Sequence, residues 1–363
     1  MEQNKILHVI TTFDFGGAET LLKLIANQQA ENHDVTICYL KGNGGLQTEL
    51  SRNVKVINIG LGVATIMEIR RVILKQNPDI IHTHLGHADL LTMIAAAGLK
   101  GRYFTTMHNI WFKKGIKDYF FFGFYFLFSH SIARNFKYIA ISKSVYKHIH
   151  RSFRVSGNRL KLIYNAIDLS KRTGLCVREK HDNETFHLLF VGRLTLQKNL
   201  FFLIKNFSIL IHEFPHLKLT LVGDGELKNE LMQFVKKLGV EHRVIFEGYQ
   251  PNPDRYFATA DCFVLTSIFE GFGLVILEAF RAGVPVLAPD IEGPKELIAS
   301  GENGLLFESN NSVDFIQKFK QMYSSDLLRQ QLAKNGAKKL DHQFSISSYM
   351  DQLYEFYHHD LIK

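Results

Sequence analysis

Short apolar runs alternate with amphipathic segments along the first half of the chain. Runs such as ILHVI (6–10), DVTICYL (34–40) and DIIHTH (79–84) indicate strands. Segments between them, such as AETLLKLIANQQ and IMEIRRVILKQ, indicate helices. Continuous apolar strands that alternate with helices predict a parallel sheet covered on both faces.

The same alternation starts again after a polar stretch, residues 170–185, which has no apolar period and is typical of a linker. Strand-like runs then include HLLFVGR, LKLTLVGDG and PVLAPD. We therefore predict an α/β fold with two tandem doubly wound, Rossmann-like domains that face a central cleft, with ligands at the carboxyl ends of the strands. The expected domains are residues 1–170 and 171–342. A C-terminal helix, 343–363, is expected to pack back on the first domain.

The composition is that of a folded globular protein, with 46% hydrophobic and 21% charged residues. Cys38, Cys176 and Cys262 lack metal-ligand spacing, so buried, reduced thiols are the expectation, and they favour a reducing compartment. The N-terminus is expected to form a first strand and not a signal peptide. The most apolar run, YFFFGFYFLF (119–128), is too short for a membrane-spanning helix, which needs ~20 residues, so no transmembrane segment is predicted.

Positive charge is concentrated in one part of the chain. The net charge is +8, and residues 100–161 hold eight Lys and five Arg against a single acid, Asp118. A basic segment beside an aromatic run is expected to face an anionic partner, either nucleic acid or an anionic membrane surface. No nucleic-acid reading element is recognisable. Burial of the aromatic run in the core is the alternative to either surface role.

Glycines and histidines mark the predicted strand ends of the first domain. Gly17, in the Gly-Gly turn after the first strand, lies where backbone amides favour anions, and the missing G-x-G-x-x-G pattern disfavours a nicotinamide dinucleotide. His82 and His84 share one side of a strand. A metal pair is one interpretation and buried, hydrogen-bonded histidines are the other; no carboxylate or thiolate at suitable spacing supports the metal. His108 is the stronger candidate because the loop after it is placed to line a site.

The predicted second domain carries groups that suit a nucleoside diphosphate sugar. Arg193 and Lys198 lie five positions apart in VGRLTLQKN, where two cations would neutralise charge on a diphosphate leaving group. In EGFGLVILE, glycines expose amides at a helix start and Glu270 stands at the rim of the turn. Glu278 lies within an apolar run, so its carboxylate needs a partner, either the vicinal hydroxyls of a ribose or Arg281.

Together these motifs resemble the retaining glycosyltransferases of family 4, which have the GT-B fold. The resemblance covers nearly the whole chain and rests on GGAE, PDIIHTH, NAID, VGRLTLQKN, LVGDGE, FEGY, EGFGLVILEA and GVPVLAPDIEGPKELI. Two departures from the family pattern are Ala166-Ile167 within NAID and the segment that starts at Pro289. The second departure leaves the identity of the donor sugar open.

The resemblance implies a role for each matching residue. Glu270, Arg193, Lys198 and His108 are expected to be catalytic. The two cations would hold the diphosphate, Glu270 would lie near the reacting carbon, and His108 would face the donor sugar. The implied donor-binding residues are Gly17, Gly192, Tyr249, Gln250, Phe272, Gly273, Leu274 and Glu278.

The resemblance also implies a hexosyltransferase that is cytoplasmic and peripheral on the inner face of the membrane. It would dock on the anionic surface through residues 110–138 and nearby Lys and Arg, and no nucleic-acid partner is expected. Its donor would be a nucleotide sugar such as a UDP- or GDP-sugar, and its acceptor a lipid-linked glycan of surface polysaccharide biosynthesis. No cofactor or metal is expected, and no Asp-x-Asp occurs in the chain. Two alternatives stay open. A nucleotide-sugar 2-epimerase needs acid and base carboxylates in the first domain, and a non-catalytic protein only binds nucleotide sugars.

Overall fold

The computed structural model describes residues 3–110, 116–131, 134–169, 185–340 and 343–358, apart from the side chains of residues 116–120 and 122. The chain forms two compact units, one of Met1–Ile167 with Ile346–Lys363 and one of Asp168–Ser345. Each unit is built on a parallel sheet with helices. The predicted fold class, α/β with two Rossmann-like domains, is confirmed. Of the predicted linker, residues 170–184 lie outside the described residues.

The first unit contains a seven-stranded parallel sheet. Its strands are β1 (Lys5–Thr12), β2 (Asp34–Lys41), β3 (Val54–Asn58), β4 (Ile80–His84), β5 (Arg102–Met107), β6 (Phe136–Ala140) and β7 (Leu160–Leu162). They are ordered β3-β2-β1-β4-β5-β6-β7. The first helices are α1 (Gly17–Gln29), α2 (Thr65–Gln76), α3 (Gly86–Ala95), α4 (Ile116–Ser131) and α5 (Lys143–Phe153). Every residue of β4 and β6 is buried, as expected for strands covered on both faces.

The second unit contains a six-stranded parallel sheet in the order β10-β9-β8-β11-β12-β13. Its strands are β8 (Phe186–Val191), β9 (Leu217–Val222), β10 (Val244–Gly248), β11 (Cys262–Val264), β12 (Val286–Pro289) and β13 (Leu305–Phe307). Its helices are α6 (Leu200–Glu213), α7 (Lys228–Lys237), α8 (Asp254–Thr259), α9 (Leu274–Arg281), α10 (Pro294–Leu297), α11 (Ser312–Ser324) and α12 (Asp326–Lys339). The strand order reverses next to β8, which is where parallel sheets bind their ligands.

The last helix, α13 (Ile346–His358), packs on the sheet of the first unit. Its Leu353 and Tyr357 share a hydrophobic cluster with Ile6 of β1, Ile80 of β4 and Phe104 of β5. All five side chains are buried. The face of α13 that carries them therefore belongs to the core of the first unit, although the second unit precedes it in sequence.

The described cysteines are buried thiols, as predicted. Cys38 and Cys262 are free and fully buried. Burial raises the pKa of the Cys38 thiol to about 12, which keeps it protonated. Cys176 lies outside the described residues. Within the described ranges, no helix has the length and apolarity needed to cross a bilayer.

Gly336, inside α12, lies against the fully buried ring of Phe280. A Cβ at this position would lie 2.5 Å from Phe280 Cδ1. Ala normally favours a helix over Gly by about 1 kcal/mol. Here we expect Gly336→Ala to lower the free energy of unfolding by about 1–3 kcal/mol, because the buried ring has to move.

Gly123 in α4 is the matched control, since a Cβ there meets nothing within 4 Å. We expect Gly123→Ala to leave the melting temperature unchanged or to raise it. Differential scanning calorimetry of both variants separates helix propensity from packing. Equal changes in the two melting temperatures would contradict the packing argument.

Candidate active site

A buried ion pair lies at the carboxyl ends of two neighbouring strands of the second sheet. The Lys198 ammonium donates to Glu270 Oε1 at 2.5 Å, and the Ser267 hydroxyl donates to the same oxygen at 2.6 Å. The side chains of Lys198 and Glu270 are only 16% and 9% exposed. Lys198 follows β8 and Glu270 follows β11, its neighbour in the sheet. The parallel topology therefore joins two predicted catalytic residues that are far apart in sequence. Glu270, expected at the rim of the turn, is instead mostly buried.

Further hydrogen bonds hold the backbone around this pair. The Gln197 side chain donates to the carbonyl of Phe269 at 2.9 Å, and the Ile268 amide donates to the carbonyl of Gln197 at 2.9 Å. The Thr266 hydroxyl donates to the carbonyl of Lys198, also at 2.9 Å. The connection after β8 and the loop after β11 are thus bound to each other at several points. These hydrogen bonds fix the position from which the lysine side chain extends.

Glycines allow two strand ends to approach closely beside Lys198. A Cβ on Gly223, whose φ is 143°, would lie 1.9 Å from the carbonyl oxygen of Gly192. A Cβ on Gly225 would lie 2.5 Å from the carbonyl oxygen of Leu194. Gly192 borders the lysine, since a Cβ there would be 3.6 Å from Lys198 Cε. The predicted donor-binding residue Gly192 and the predicted catalytic Lys198 are therefore adjacent.

The helix α9 begins at a glycine turn just after Glu270. Gly273 is its N-cap, with a left-handed φ of 99° and no capping side chain. Phe272 is buried, with its ring centroid 5.9 Å from that of Phe344, and Leu274 is the partly exposed first residue of the helix. The first amides of a helix have no partner within it, and the helix dipole favours an anion at this end. The predicted contact residues 272–274 thus form the kind of turn that binds phosphate.

Glu278 lies one turn inside α9 and is half-buried. Arg281, its alternative partner from the sequence, pairs instead with Asp254 at 2.5 Å and donates to the carbonyl of Asp168 at 3.2 Å. That guanidinium therefore neutralises a different carboxylate. Arg193 is exposed, and among the described residues its side chain makes no ion pair or hydrogen bond.

Tyr249 and Gln250 follow β10, at the edge of the second sheet next to β9. The Gln250 amide donates to the carbonyl of Glu247 at 3.0 Å, and its oxygen accepts from Arg255 at 3.2 Å. The Gln250 side chain is thus held by its own loop. Contact of these two residues with a nucleotide base stays a prediction.

In the first unit, Gly17 is the exposed first residue of α1. Glu19 bends back below the turn, where its Oε1 accepts from the Thr12 hydroxyl at 2.7 Å. A Cβ on Gly16 would lie 2.4 Å from Glu19 Oε2, so any larger residue there would displace this buried carboxylate. The turn leaves the start of α1 open at Gly17, the position predicted to approach a ligand.

A row of histidines crosses the first sheet from the middle of β1 to the end of β5. His8 lies on β1, His82 and His84 lie on β4, and His108 directly follows β5. His8 Nδ1 lies 3.1 Å from His84 Nε2, and His84 Nδ1 lies 3.2 Å from His108 Nε2. Burial lowers the pKa of His8 to about 4 and that of His108 to about 3, and it holds the pKa of His82 and His84 well below the usual value. The row is therefore neutral at physiological pH.

His8, His82 and His84 are also the one group of three potential metal ligands within the described ranges, with nitrogen atoms less than 4.8 Å apart. Hydrogen bonds already occupy all six ring nitrogens. His82, for example, contacts the hydroxyl of Tyr357 at 2.6 Å and that of Thr106 at 2.7 Å. A cation would have to break these bonds, so the geometry favours a hydrogen-bonded cluster over a metal site.

Helix α4 divides the aromatic run between two environments. Tyr125 is fully buried, whereas Phe124 and Leu127 are 53% and 57% exposed. Lys137, one of the cations predicted to face a membrane, is buried in β6, with its ammonium 5.2 Å from the centre of the Phe356 ring. The prediction was wrong for Lys137, because β6 is covered on both faces and its side chain enters the core. Within the predicted membrane segment, residues 111–115 and 132–133 lie outside the described residues.

Two polar residues of these arrangements were missed from the sequence. Ser267, which donates to Glu270, directly follows the apolar run CFVL together with Thr266. A hydroxyl at the end of a predicted strand was the available signal. His8 was overlooked inside ILHVI, where a polar side chain in a fully apolar strand is itself unusual.

Two family models match the chain, one in each half. Residues 15–171 match the model described as Glycosyltransferase Family 4, and residues 177–339 match the model described as Glycosyl transferases group 1. Together they cover both sheets and most of the residues discussed above. The predicted family resemblance is thereby confirmed.

Curated relatives and solved structures agree with these matches. An N-acetylgalactosamine-N,N'-diacetylbacillosaminyl-diphospho-undecaprenol 4-alpha-N-acetylgalactosaminyltransferase of Campylobacter jejuni is 34% identical over 55% of this chain and 55% of its own length. A UDP-Gal:alpha-D-GlcNAc-diphosphoundecaprenol alpha-1,3-galactosyltransferase of Escherichia coli is 25% identical over 85% of this chain and 81% of its own. Several matched relatives are thus covered over only about half of their length. Anabaena HepE in complex with UDP-glucose superposes with a TM-score of 0.84 at 22% identity, covering 97% of this chain and 99% of HepE, and shows the shared fold.

The buried histidines predict that acid destabilises the first unit. His8, His82, His84 and His108 stay neutral in the folded chain far below pH 6.5, whereas in the unfolded chain each takes up a proton near pH 6.5. As the pH falls from about 7 to about 5, each such histidine lowers the free energy of unfolding by up to about 1.4 kcal/mol per pH unit. Asp89 acts in the opposite direction. Burial raises its pKa to about 7, so its protonation offsets one histidine over the same interval.

Urea unfolding between pH 7.5 and pH 5 checks this expectation. His8→Gln should flatten the pH dependence, because one fewer buried imidazole is then involved. The exposed His242→Gln is the control and should leave the slope as it is in the wild-type protein. Stability of the first unit that does not change over this range would contradict the assignment of neutral, buried histidines.

Proposed function

The chain belongs to the family 4 glycosyltransferases, which have the GT-B fold, and we propose that it moves a hexosyl group from a nucleoside diphosphate sugar to a hydroxyl of a lipid-linked glycan, with retention of the anomeric configuration. The observation that carries the proposal is the buried Lys198–Glu270 pair, which borders Gly192 and lies just before α9. The finer points, which are the donor class, the acceptor and the stereochemistry, rest on the following arguments.

The donor diphosphate would bind between the Lys198 ammonium and the first amides of α9. A lysine held by a carboxylate and a helix start that lacks a capping side chain offer a charge and N–H donors for phosphate oxygens. Gly192 has no side chain that would come between a ligand and the lysine. Arg193 is exposed in the same connection and would add a second cation. The E. coli and Campylobacter relatives are both named as glycosyltransferases, which supports a sugar nucleotide as the diphosphate ligand.

The two glutamates would bind the sugar and the ribose. Glu270 uses Oε1 for Lys198 and Ser267, and within the described part of the chain its Oε2 has no hydrogen-bond partner. That oxygen would accept from a hydroxyl of the donor sugar. Glu278 lies one turn further along α9, and helical side chains tilt towards the N-terminus. Its carboxylate would therefore reach the ribose hydroxyls of a nucleotide whose phosphates lie at the helix start.

The proposed reaction balances without a protein base. The bond between the anomeric carbon and the β-phosphate oxygen breaks, and the acceptor oxygen bonds to that carbon from the same face. The acceptor proton goes to the departing phosphate oxygen, whose developing charge Lys198 and Arg193 would stabilise. With cations in this role we propose that no metal ion is required.

The acceptor would be presented at a membrane. The Campylobacter and E. coli relatives are named for undecaprenol-linked substrates. In this chain, Phe124 and Leu127 of α4 are exposed, and the segment around them is strongly basic. Apolar side chains beside positive charge suit the interface of an anionic leaflet. We therefore propose a cytoplasmic enzyme, peripheral on the inner face of the membrane, in surface polysaccharide synthesis.

Release of nucleotide from a panel of UDP-, GDP- and ADP-sugars tests the proposed reaction. With membrane extract as the source of acceptor, one donor should be cleaved, and EDTA should leave the rate unchanged. We expect Lys198→Ala to lower kcat about 100-fold or more, because leaving-group charge loses its counter-charge. Glu278→Ala should mainly raise the KM for the donor, by about tenfold or more.

Lys320→Ala, which removes an exposed pairing with Glu213, is the matched control and should keep wild-type rates. Binding of donors without cleavage of any would indicate a nucleotide-sugar-binding protein. Conversion of the donor into an isomer without an acceptor would indicate an epimerase. A rate that EDTA abolishes would overturn the proposal that no metal is needed.

Vesicle co-sedimentation tests the membrane proposal separately. The wild-type protein should bind vesicles of phosphatidylglycerol and phosphatidylcholine, and less so at high salt. Phe124→Ser combined with Leu127→Ser should weaken binding about tenfold or more, because two apolar side chains are lost from the interface. The control replaces Val313 and Leu327, which are exposed in the second unit, by Ser. An equal loss in both double variants would refute docking through α4.

A further inference from the structure

Three of the histidines form a hydrogen-bonded chain that begins at Gln29 and ends at the predicted site residue His108. Gln29 is the last residue of α1, and its Oε1 lies 2.7 Å from His8 Nε2. His8 Nδ1 then contacts His84 Nε2 at 3.1 Å, and His84 Nδ1 contacts His108 Nε2 at 3.2 Å. Gln29, His8 and His84 are fully buried, so no water competes for these bonds.

The carbonyl oxygen of Gln29 gives this chain a direction. A neutral imidazole has one N–H and one bare nitrogen, and a carbonyl oxygen only accepts. His8 must therefore donate from Nε2 to Gln29, and its Nδ1 must accept from His84 Nε2. By the same reasoning His84 Nδ1 accepts from His108 Nε2. His108 is left with its proton on Nε2 and a bare Nδ1.

The neutral state that this reasoning needs follows from burial. Burial lowers the pKa of His8 to about 4 and that of His108 to about 3, and it keeps that of His84 well below 6.5. The neighbours of the chain on β4 and β5 include His82 and Thr106, which are joined to each other at 2.7 Å. With the imidazoles neutral, the hydrogen bonds set the tautomers.

His108 Nδ1 is itself buried and has no hydrogen-bond partner among the residues that the structure describes. An acceptor left in this state costs about 1–3 kcal/mol. The residue directly follows β5, at the end of the sheet where ligands of parallel sheets bind. A hydroxyl group that reached this nitrogen would satisfy it.

We infer that Gln29, acting through His8 and His84, holds His108 in the tautomer whose Nδ1 accepts a hydrogen bond from a sugar hydroxyl of the substrate. Gln29, His8 and His84 are thus positioning residues, and Gln29 determines what His108 offers to its ligand. Naming a sugar hydroxyl as the ligand rests on the proposed function. The direction of the chain does not, because it follows from Gln29 and the imidazoles.

Nuclear magnetic resonance of the ring nitrogens measures the tautomer directly. The full chain, labelled with ¹⁵N-histidine and free of donor, should show a protonated Nε2 and a bare Nδ1 for His108 at neutral pH. The signals are assigned by their loss in His108→Gln. Gln29→Met removes the acceptor with little change in side-chain length, and we expect His108 to become a mixture of tautomers. Gln29→Glu supplies a carboxylate oxygen in place of the carbonyl and should restore the wild-type pattern.

Kinetics with the cleaved donor should rank the variants as the spectra do, with Gln29→Glu closer to the wild-type protein than Gln29→Met. Gln29→Met should lower kcat/KM with the cleaved donor about tenfold, and Gln29→Glu should recover most of the loss. Gln330→Met, on the exposed side of α12, is the matched control. Thermal unfolding of all variants shows whether a change in kinetics reflects damage to the fold. If the loss in Gln29→Met came from such damage, Gln29→Glu would not be expected to restore activity and tautomer together.

Three results would overturn the inference: a protonated Nδ1 on His108 in the wild-type protein, an unchanged His108 tautomer in Gln29→Met, or stoichiometric zinc bound by the histidines of the purified protein. The spectra are recorded without donor. The expected tautomers in a protein that cleaves no donor would therefore overturn the proposed function and leave the chain of hydrogen bonds in place.

Discussion

The arrangement of the second unit depends on the ion pair between Lys198 and Glu270. Two charges with so little exposure are stable only when they satisfy each other, and the loss of one would leave the other buried and uncompensated. The pair therefore requires the ends of β8 and β11 to stay in register, and Gln197 and Thr266 reinforce that register through the backbone. Gly192 and Gly223 also hold strand ends together, because the close approach of their backbones beside Lys198 leaves no space for a side chain on Gly223.

The first unit meets a similar constraint with neutral groups. β4 is buried along its whole length, yet it carries two histidines, so every ring nitrogen has to find a partner inside the sheet. Neighbouring strands provide most of these partners. Tyr357 of α13 provides another, which ties the end of the chain to the polar centre of the first sheet. A row of imidazoles whose protons run in one direction is one way to bury so many polar groups without charge.

Much of this architecture was readable from the order of apolar runs, and so were several residues of the site. The alternation of strands and helices predicted both sheets, and the glycine turns predicted the strand ends near Gly192 and Gly273. Predictions for single charged side chains were less secure. Lys137 is buried in β6, although its charge suggested a surface position. Arg281, next to Glu278 along the helix, turned out to bind Asp254 on another helix.

The sequence by itself determined the fold class, the family and the segments that carry the chemistry, because strand periodicity, glycine turns and motif spacing are local properties of the chain. Only the tertiary structure decided which side chains meet. Lys198 and Glu270 are 72 residues apart in sequence and His82 and Tyr357 are 275 apart, and their pairing depends on strand order and helix packing. Hydrogen bonds and ion pairs act over a few ångströms, so their partners are selected by the folded sheet and not by proximity along the chain.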